Sequence, residues 1–309
     1  MIRQLPIIIA FGLASAVLYA SALSGIAIGL LVTYLAQLPL FIVGLSMGTM
    51  AVALAGAAGI VALLVIGGTI PGLLFALSTA VPVTILVQLA LRVRTWTDGK
   101  DYWYPAGNLL RGTSLWCALL LVGAAVGFAL FADGIVAAVS AFVGHIAEMI
   151  NQTTGQNTMP TVMNQLSYLL PGITAWSWML MATVNGLLAQ AIVKRVNRNL
   201  RPSMSMGEID IPLSWASLFG VTVALSYVLN GDLGFLTANL AMILAYPLLF
   251  QGLSVIHAAL ASFGAWTAGY IAFYVMLIFF GWLALAVVAL GMAEPVFKLR
   301  ERLTRPKNT

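Results

Sequence analysis

From Gln4 to Leu91 the chain carries no Asp, Glu, Lys or Arg. A soluble domain cannot wet its surface that way, because such domains draw roughly a quarter of their residues from these four types. About 20 residues of helix cross a bilayer core, so this one stretch has room for four crossings joined by tight turns. The whole chain agrees, with 7% charged and 61% hydrophobic residues over 309 positions. Barrel strands alternate apolar and polar side chains, since one face lines a lumen. Residues 51–70 are apolar or small on every face, which suits a helix surrounded by lipid or by other helices. The expected fold class is therefore all-α: a polytopic transmembrane helix bundle of about eight or nine hydrophobic segments, forming a single integral membrane domain over 1–309.

The segments are expected near 5–23, 26–43, 46–68, 71–91, 112–131, 171–193, 213–230, 234–262 and 267–292. All but Arg3 of the 14 Lys and Arg fall between them, in 92–111, 194–201 and 298–307. That distribution follows the positive-inside rule and places those loops and the N-terminus in the cytoplasm. A nucleic-acid surface would instead gather its cations on one folded face, so no nucleic-acid partner is expected. Arg3 followed by an apolar stretch has some features of a signal peptide. Apolar sequence continues far beyond a signal's length, so it reads as the first, uncleaved membrane helix. In the first basic loop, Thr97-Asp98-Gly99 marks a turn, and Tyr102-Trp103-Tyr104-Pro105 reads as an interfacial aromatic belt or, as the lesser reading, a docking loop.

Residues 132–170 form the longest stretch that does not span. Ile135, Val139, Phe142, Ile146 and Met149 recur at three and four residues, the spacing of an amphipathic helix on the outer surface. The polar run Asn151 to Gly155 reads as a loop, followed by a second short amphipathic piece with Val162, Leu166 and Leu169. Three segments between Arg201 and Lys298 conflict with two cytoplasmic ends, which require an even number of crossings. Either 234–262 enters and leaves by one face, breaking at Pro247 and Gln251-Gly252, or it crosses with a kink and the tail departs from the charge rule.

Two groups of residues are candidates for function. Small residues at four-residue spacing let helix backbones approach closely: Gly12, Ala16, Ala20 and Ser24 on the first helix, then Gly44 with Gly48 and Gly123 with Gly127. They read as packing within the bundle or, on the first helix, as a face for a membrane-protein partner. Polar groups at membrane depth must find partners: Asn185, Asn239, Gln251, Ser254 and His257. They read as interhelical hydrogen bonds or as a neutral pocket for a small solute or lipid headgroup. No Asp or Glu falls inside the expected segments, which argues against a carrier coupled through a membrane carboxylate.

Enzyme signatures are weak. Ala22-Leu23-Ser24-Gly25 lacks the first glycine of an intramembrane serine protease motif, and His145 with Glu148 gives two metal ligands where a site needs more. Neither HExxH nor a phosphate-binding glycine loop occurs. The lone Cys117 excludes an intramolecular disulfide. No catalysis, metal or cofactor is expected.

Gln251-Gly252-Leu253-Ser254-Val255-Ile256, Gly291-Met292-Ala293-Glu294 ahead of Arg300, and Tyr102-Trp103-Tyr104-Pro105-Ala106-Gly107 resemble the YybS-like family of bacterial membrane proteins. That resemblance implies the bacterial inner membrane. The N-terminal half is distantly similar to the substrate-binding S components of energy-coupling-factor transporters, which dock a shared partner through a small-residue face on their first helix. The resemblance implies that role for Gly12, Ala16, Ala20 and Ser24. The expected function is a transport-like membrane subunit that binds a small solute or lipid; the alternatives are a membrane scaffold and, least supported, an intramembrane enzyme.

Overall fold

The computed structural model describes residues 2–24, 27–97, 99–154, 160–262 and 267–304. Apart from one short hairpin, the regular structure among them is helical. Helices α1 (Leu5–Ala20), α2 (Ala27–Thr33), α3 (Leu38–Met47), α4 (Thr49–Gly67), α5 (Thr69–Phe75) and α6 (Val81–Ala90) precede strands β1 (Val93–Thr95) and β2 (Asp101–Trp103). Then come α7 (Ala106–Phe131), α8 (Ile135–Thr154), α9 (Pro160–Arg195), α10 (Leu213–Val228), α11 (Gly231–Ser262), α12 (Thr267–Phe279), α13 (Leu283–Phe297) and α14 (Leu299–Thr304). Pro6, Pro39 and Pro82 stand in the first turn of their helices, where the missing N–H has no intrahelical partner to lose. Gly48 and Gly68 break the chain between α3, α4 and α5 at φ of 96° and 84°, a conformation that side chains resist.

The expected count of eight or nine crossings is too high. Among the described residues, five helices are long and apolar enough to cross a membrane: Thr49–Gly67, Thr69–Ala90, Ala106–Phe131, Ser167–Arg195 and Gly231–Ser262. A sixth is reached if α12 and α13 count as one bent span. The other apolar runs form helices of 10–17 residues, at most about 26 Å at 1.5 Å per residue against a core of about 30 Å. Segment 26–43 is broken by a turn over Tyr34–Gln37, where backbone bonds run at three-residue spacing. Composition revealed the apolar runs but not where they bend.

The chain divides into two compact units. The first holds Met1–Thr113 and Trp178–Ser205. Its core is a close crossing of α1 on α4, in which a Cβ added at Gly12 would strike the Ala55 carbonyl. Ala16 is also buried there and Ala20 is half-buried, so the small face of α1 is covered by its own chain; the side chain of Ser24 lies outside the described residues. Gly44 admits the Val87 methyls from α6, whereas Gly48 serves the turn and meets nothing within 4 Å. Between α5 and α6, residues Ala76–Ala80 form a π-helical turn. The basic loop is a hairpin, β1 antiparallel to β2, with Val93 opposite Trp103. Trp96 packs edge-on to Tyr102 with Arg94 over its ring, while Asp98 of the expected turn lies outside the described residues.

The second unit holds Ser114–Ser177 and Met206–Thr309. Here α11 and α13 cross on paired glycines: a Cβ at Gly252 would meet the Val287 carbonyl, and one at Gly291 the Leu248 carbonyl. Gly123 and Gly127 on α7 meet nothing within 4 Å among the described residues. The Asp232 carboxylate accepts the Val136 N–H, capping the start of α8 from the start of α11. Of the expected amphipathic stripe, Ile135 is buried and Val139 and Ile146 half-buried, while Phe142 and Met149 stay exposed. Residues 151–154, expected as loop, continue α8, and the expected second amphipathic piece is the start of the 36-residue α9, its Val162 and Leu166 side chains outside the described residues.

The parity conflict is met elsewhere than expected. Pro247 does not break α11, which runs unbroken for 32 residues. The break falls after Phe279, where α12 and α13 meet at 115° and the chain turns back on itself. Both arms contact the same stretch of α11: Tyr274 reaches His257, and Gly291 packs on Leu248. Beyond α13, Arg300 donates to the carbonyls of Gly207 and Ile209, so the basic tail meets the loop that follows Arg201.

Candidate functional site

A polar group inside a bundle of apolar helices is informative when both of its ends are followed to their partners. Asn239 on α11 is fully buried and fully occupied. Its Nδ2 donates to the carbonyls of Tyr168 and Phe235, and its Oδ1 accepts the Gly172 N–H at 2.7 Å. In an unbroken helix the Gly172 N–H would bond the Tyr168 carbonyl directly. Pro171 disturbs the ladder at that point, and the amide of Asn239 is inserted between the two groups. This is a splint for the α9 kink.

Pro247 is bracketed in a similar way. It removes the donor that Ile243 would meet, and tryptophans dock on the carbonyls either side: Trp176 on Met242 and Trp215 on Leu244. One turn on, Gln251 is fully buried. Its Oε1 accepts the Ile211 N–H, while Nε2 has no hydrogen-bond partner. Ser254 follows, buried, donating to the Gln251 carbonyl. Then comes half-buried His257, whose Nδ1 lies 2.8 Å from the Leu253 carbonyl and whose Nε2 lies 3.4 Å from the Tyr274 hydroxyl. Tyr270 stacks on the same imidazole with ring centroids 5.1 Å apart. Gln251, Ser254 and His257 thus form a line about 9 Å long that climbs from the sealed interior to a partly open aromatic cleft.

Asn185 belongs to the other unit and joins none of these residues within its own unit. Its Nδ2 donates to the carbonyls of Tyr34 and Met181, and its Oδ1 has no partner. Gln37, which the sequence reading did not single out, has the same character: Nε2 donates to the Ser78 carbonyl and the buried Oε1 has no partner. The signal was its position beside Pro39, between two short helices in the long uncharged stretch.

Two arginines counted only as topology markers prove to be buried fasteners. Arg201 is 4% exposed and donates to the Ala90 and Tyr104 carbonyls, with the Trp103 ring 5.9 Å away. Arg300 pairs with Glu294 at 2.8 Å. Glu294 is itself 4% exposed, so the expectation of no embedded carboxylate is corrected. The left-handed turn at Lys298 (φ 49°) folds Arg300 back onto it, neutralising the charge in place. His145 and Glu148 are exposed on α8, and no group of three or more metal-binding side chains occurs among the described residues.

Comparison with curated proteins and with solved structures finds no match. A family model does match, over residues 3–294, and its description is predicted membrane protein (DUF2232). The spanning helices, the lipid-exposed apolar side chains and this match over nearly the whole sequence lead to one conclusion: the chain is a multi-pass membrane protein belonging to the DUF2232 family.

Proposed function

We propose that the protein is a transport-like membrane subunit that binds a small polar solute or a lipid headgroup along the inner face of α11 and works with a partner that supplies energy. The observation that carries this reading is Gln251 Nε2: a fully buried donor without a partner, at the closed end of a polar line whose open end is ringed by Tyr270 and Tyr274. Leaving such a group unpaired costs about 1–3 kcal/mol, a penalty that an arriving acceptor removes. The bound group is therefore a hydrogen-bond acceptor, such as a carbonyl, hydroxyl or phosphate oxygen. No catalytic role is assigned to these side chains.

The topology we propose keeps the N-terminus and both later basic segments in the cytoplasm of a bacterial cell. A re-entrant α12–α13 pair leaves α10 and α11 as the only two crossings after Arg201, and Arg300 on the 207–209 carbonyls supports a shared side. The likeness to YybS-like proteins and to S components is carried forward in the same sense. Because Gly12 and Ala16 lie under α4, the partner face proposed for the first helix is the exposed one, with Ile9, Leu13 and Val17.

Native mass spectrometry of the protein extracted from its own membrane tests the reading. A retained small mass, lost from Gln251→Leu and His257→Ala, is the expected result. A bare wild-type protein, or equal retention in both variants, would remove the support. Gly123 and Gly127, with nothing against them, favour a second reading as a membrane scaffold. That reading predicts a co-purifying protein lost from Gly123→Leu while the α11 variants keep it.

A further inference from the structure

Gln37 and Asn185 hold the same turn from two sides. Asn185 takes the carbonyl of Tyr34, where the turn begins, and Gln37 is the residue that ends it. The Ser78 carbonyl, inside the π-helical turn, receives both Gln37 Nε2 at 3.1 Å and Trp178 Nε1 at 2.7 Å. Trp178 and Asn185 are seven residues apart and so share a face of α9. The Ala36 carbonyl is closed off by Ser15 of α1. Turn, π-helical segment and α9 face therefore frame one spot inside the first unit.

The open groups there are of one kind. Rotating either amide would set its oxygen against a carbonyl that it now donates to, so neither can turn its N–H outward. Gln37 Oε1 and Asn185 Oδ1 are thus fixed as acceptors, at 0% and 2% residue exposure, each without a donor. Their occupant must bring positive charge or donors alone, and must be small enough to sit among packed side chains. Within the first unit, Asp and Glu occur only at positions 98 and 101, in the hairpin loop. A divalent ion draws carboxylates, so a neutral oxygen set does not suit it. Carbonyl dipoles beside interrupted helices replace the hydration shell of an alkali ion.

We propose that this spot is a binding site for a monovalent cation, Na⁺ or K⁺, with the side-chain oxygens of Gln37 and Asn185 as ligands. The inference stands apart from the solute reading, sharing no residue with the α11 line, and it is measured with no solute present. Full-length protein in detergent is unfolded by heat in choline chloride, NaCl and KCl at equal ionic strength, and equilibrium binding of ²²Na⁺ and ⁸⁶Rb⁺ is measured on the same samples. The expected result is a saturable rise in Tm of about 5 °C with one alkali ion over choline. Saturable binding of that ion, weakened at least about tenfold in Gln37→Met, should accompany it. Equal Tm in all three salts with no saturable binding means that an ordered water fills the spot, and the proposal fails. Unchanged affinity in Gln37→Met also overturns it. Should that variant not fold, wild-type isotope binding decides alone.

Discussion

Asn239 and Asn185 are the same residue type, each buried to 2% exposure or less on a long membrane helix, and each donates to two carbonyls through Nδ2. They differ in one atom. Oδ1 of Asn239 closes on the Gly172 N–H, whereas Oδ1 of Asn185 has no donor. The first amide completes a helix interrupted by Pro171, so all its bonding is consumed by the fold. The second holds a turn and still has an acceptor to offer. Burial and polarity do not separate a splint from a site; the unused end of the group does.

The largest expected effect tests the splint. Asn239→Ala strands the Gly172 N–H and the Tyr168 carbonyl in a buried kink, at about 2–4 kcal/mol for the two groups. Cys117, the lone thiol and buried, gives the readout as maleimide labelling on heating. Adding Pro171→Ala should recover part of that loss, since a helix without the kink can close its own ladder. A double variant no more stable than Asn239→Ala would break the splint account.

Glycine variants sharpen the comparison by asking whether the two units are equally well packed. Gly12→Ala and Gly252→Ala each drive a methyl into a facing backbone carbonyl, and we expect about 1–3 kcal/mol from either. Similar losses would show that the open oxygen of Asn185 does not come from loose packing around it. A negligible loss at Gly12 alone would point to looseness in the first unit.

The smallest effect belongs to Asn185→Ala. It unpairs the Tyr34 carbonyl but also removes the unmet acceptor, so it should cost about 1 kcal/mol in choline salts, well under the Asn239 variant. Differential scanning fluorimetry of the two variants side by side measures the gap. Equal destabilisation would erase the distinction between them.

Part of this was legible in the sequence. The uncharged stretch up to Leu91 and the basic loops announced a helical membrane protein, and Gly12 and Gly44 marked real close approaches. Asn239 and Asn185 were visible as polar groups needing partners. Which atom stays unmet depends on residues far along the chain, Tyr168 and Gly172 in one case and Tyr34 in the other, and spacing does not reveal those. Glu294 escaped because it stands just past an apolar run, and its burial depends on a left-handed Lys298 that returns Arg300 to it. The bend after Phe279 was hidden for a related reason. Gly281 interrupts a run that hydropathy alone reads as continuous, while Pro247, the more conspicuous breaker, is braced by Trp176 and Trp215.

The most direct test is an experimental structure in lipid at a resolution that shows ordered water and ions. The account predicts non-protein density against Asn185 Oδ1 with Gln37 Oε1, and separately against Gln251 Nε2, with none against Asn239. Asn185 and Gln251 found with every polar atom bonded to protein, as Asn239 is here, would contradict it.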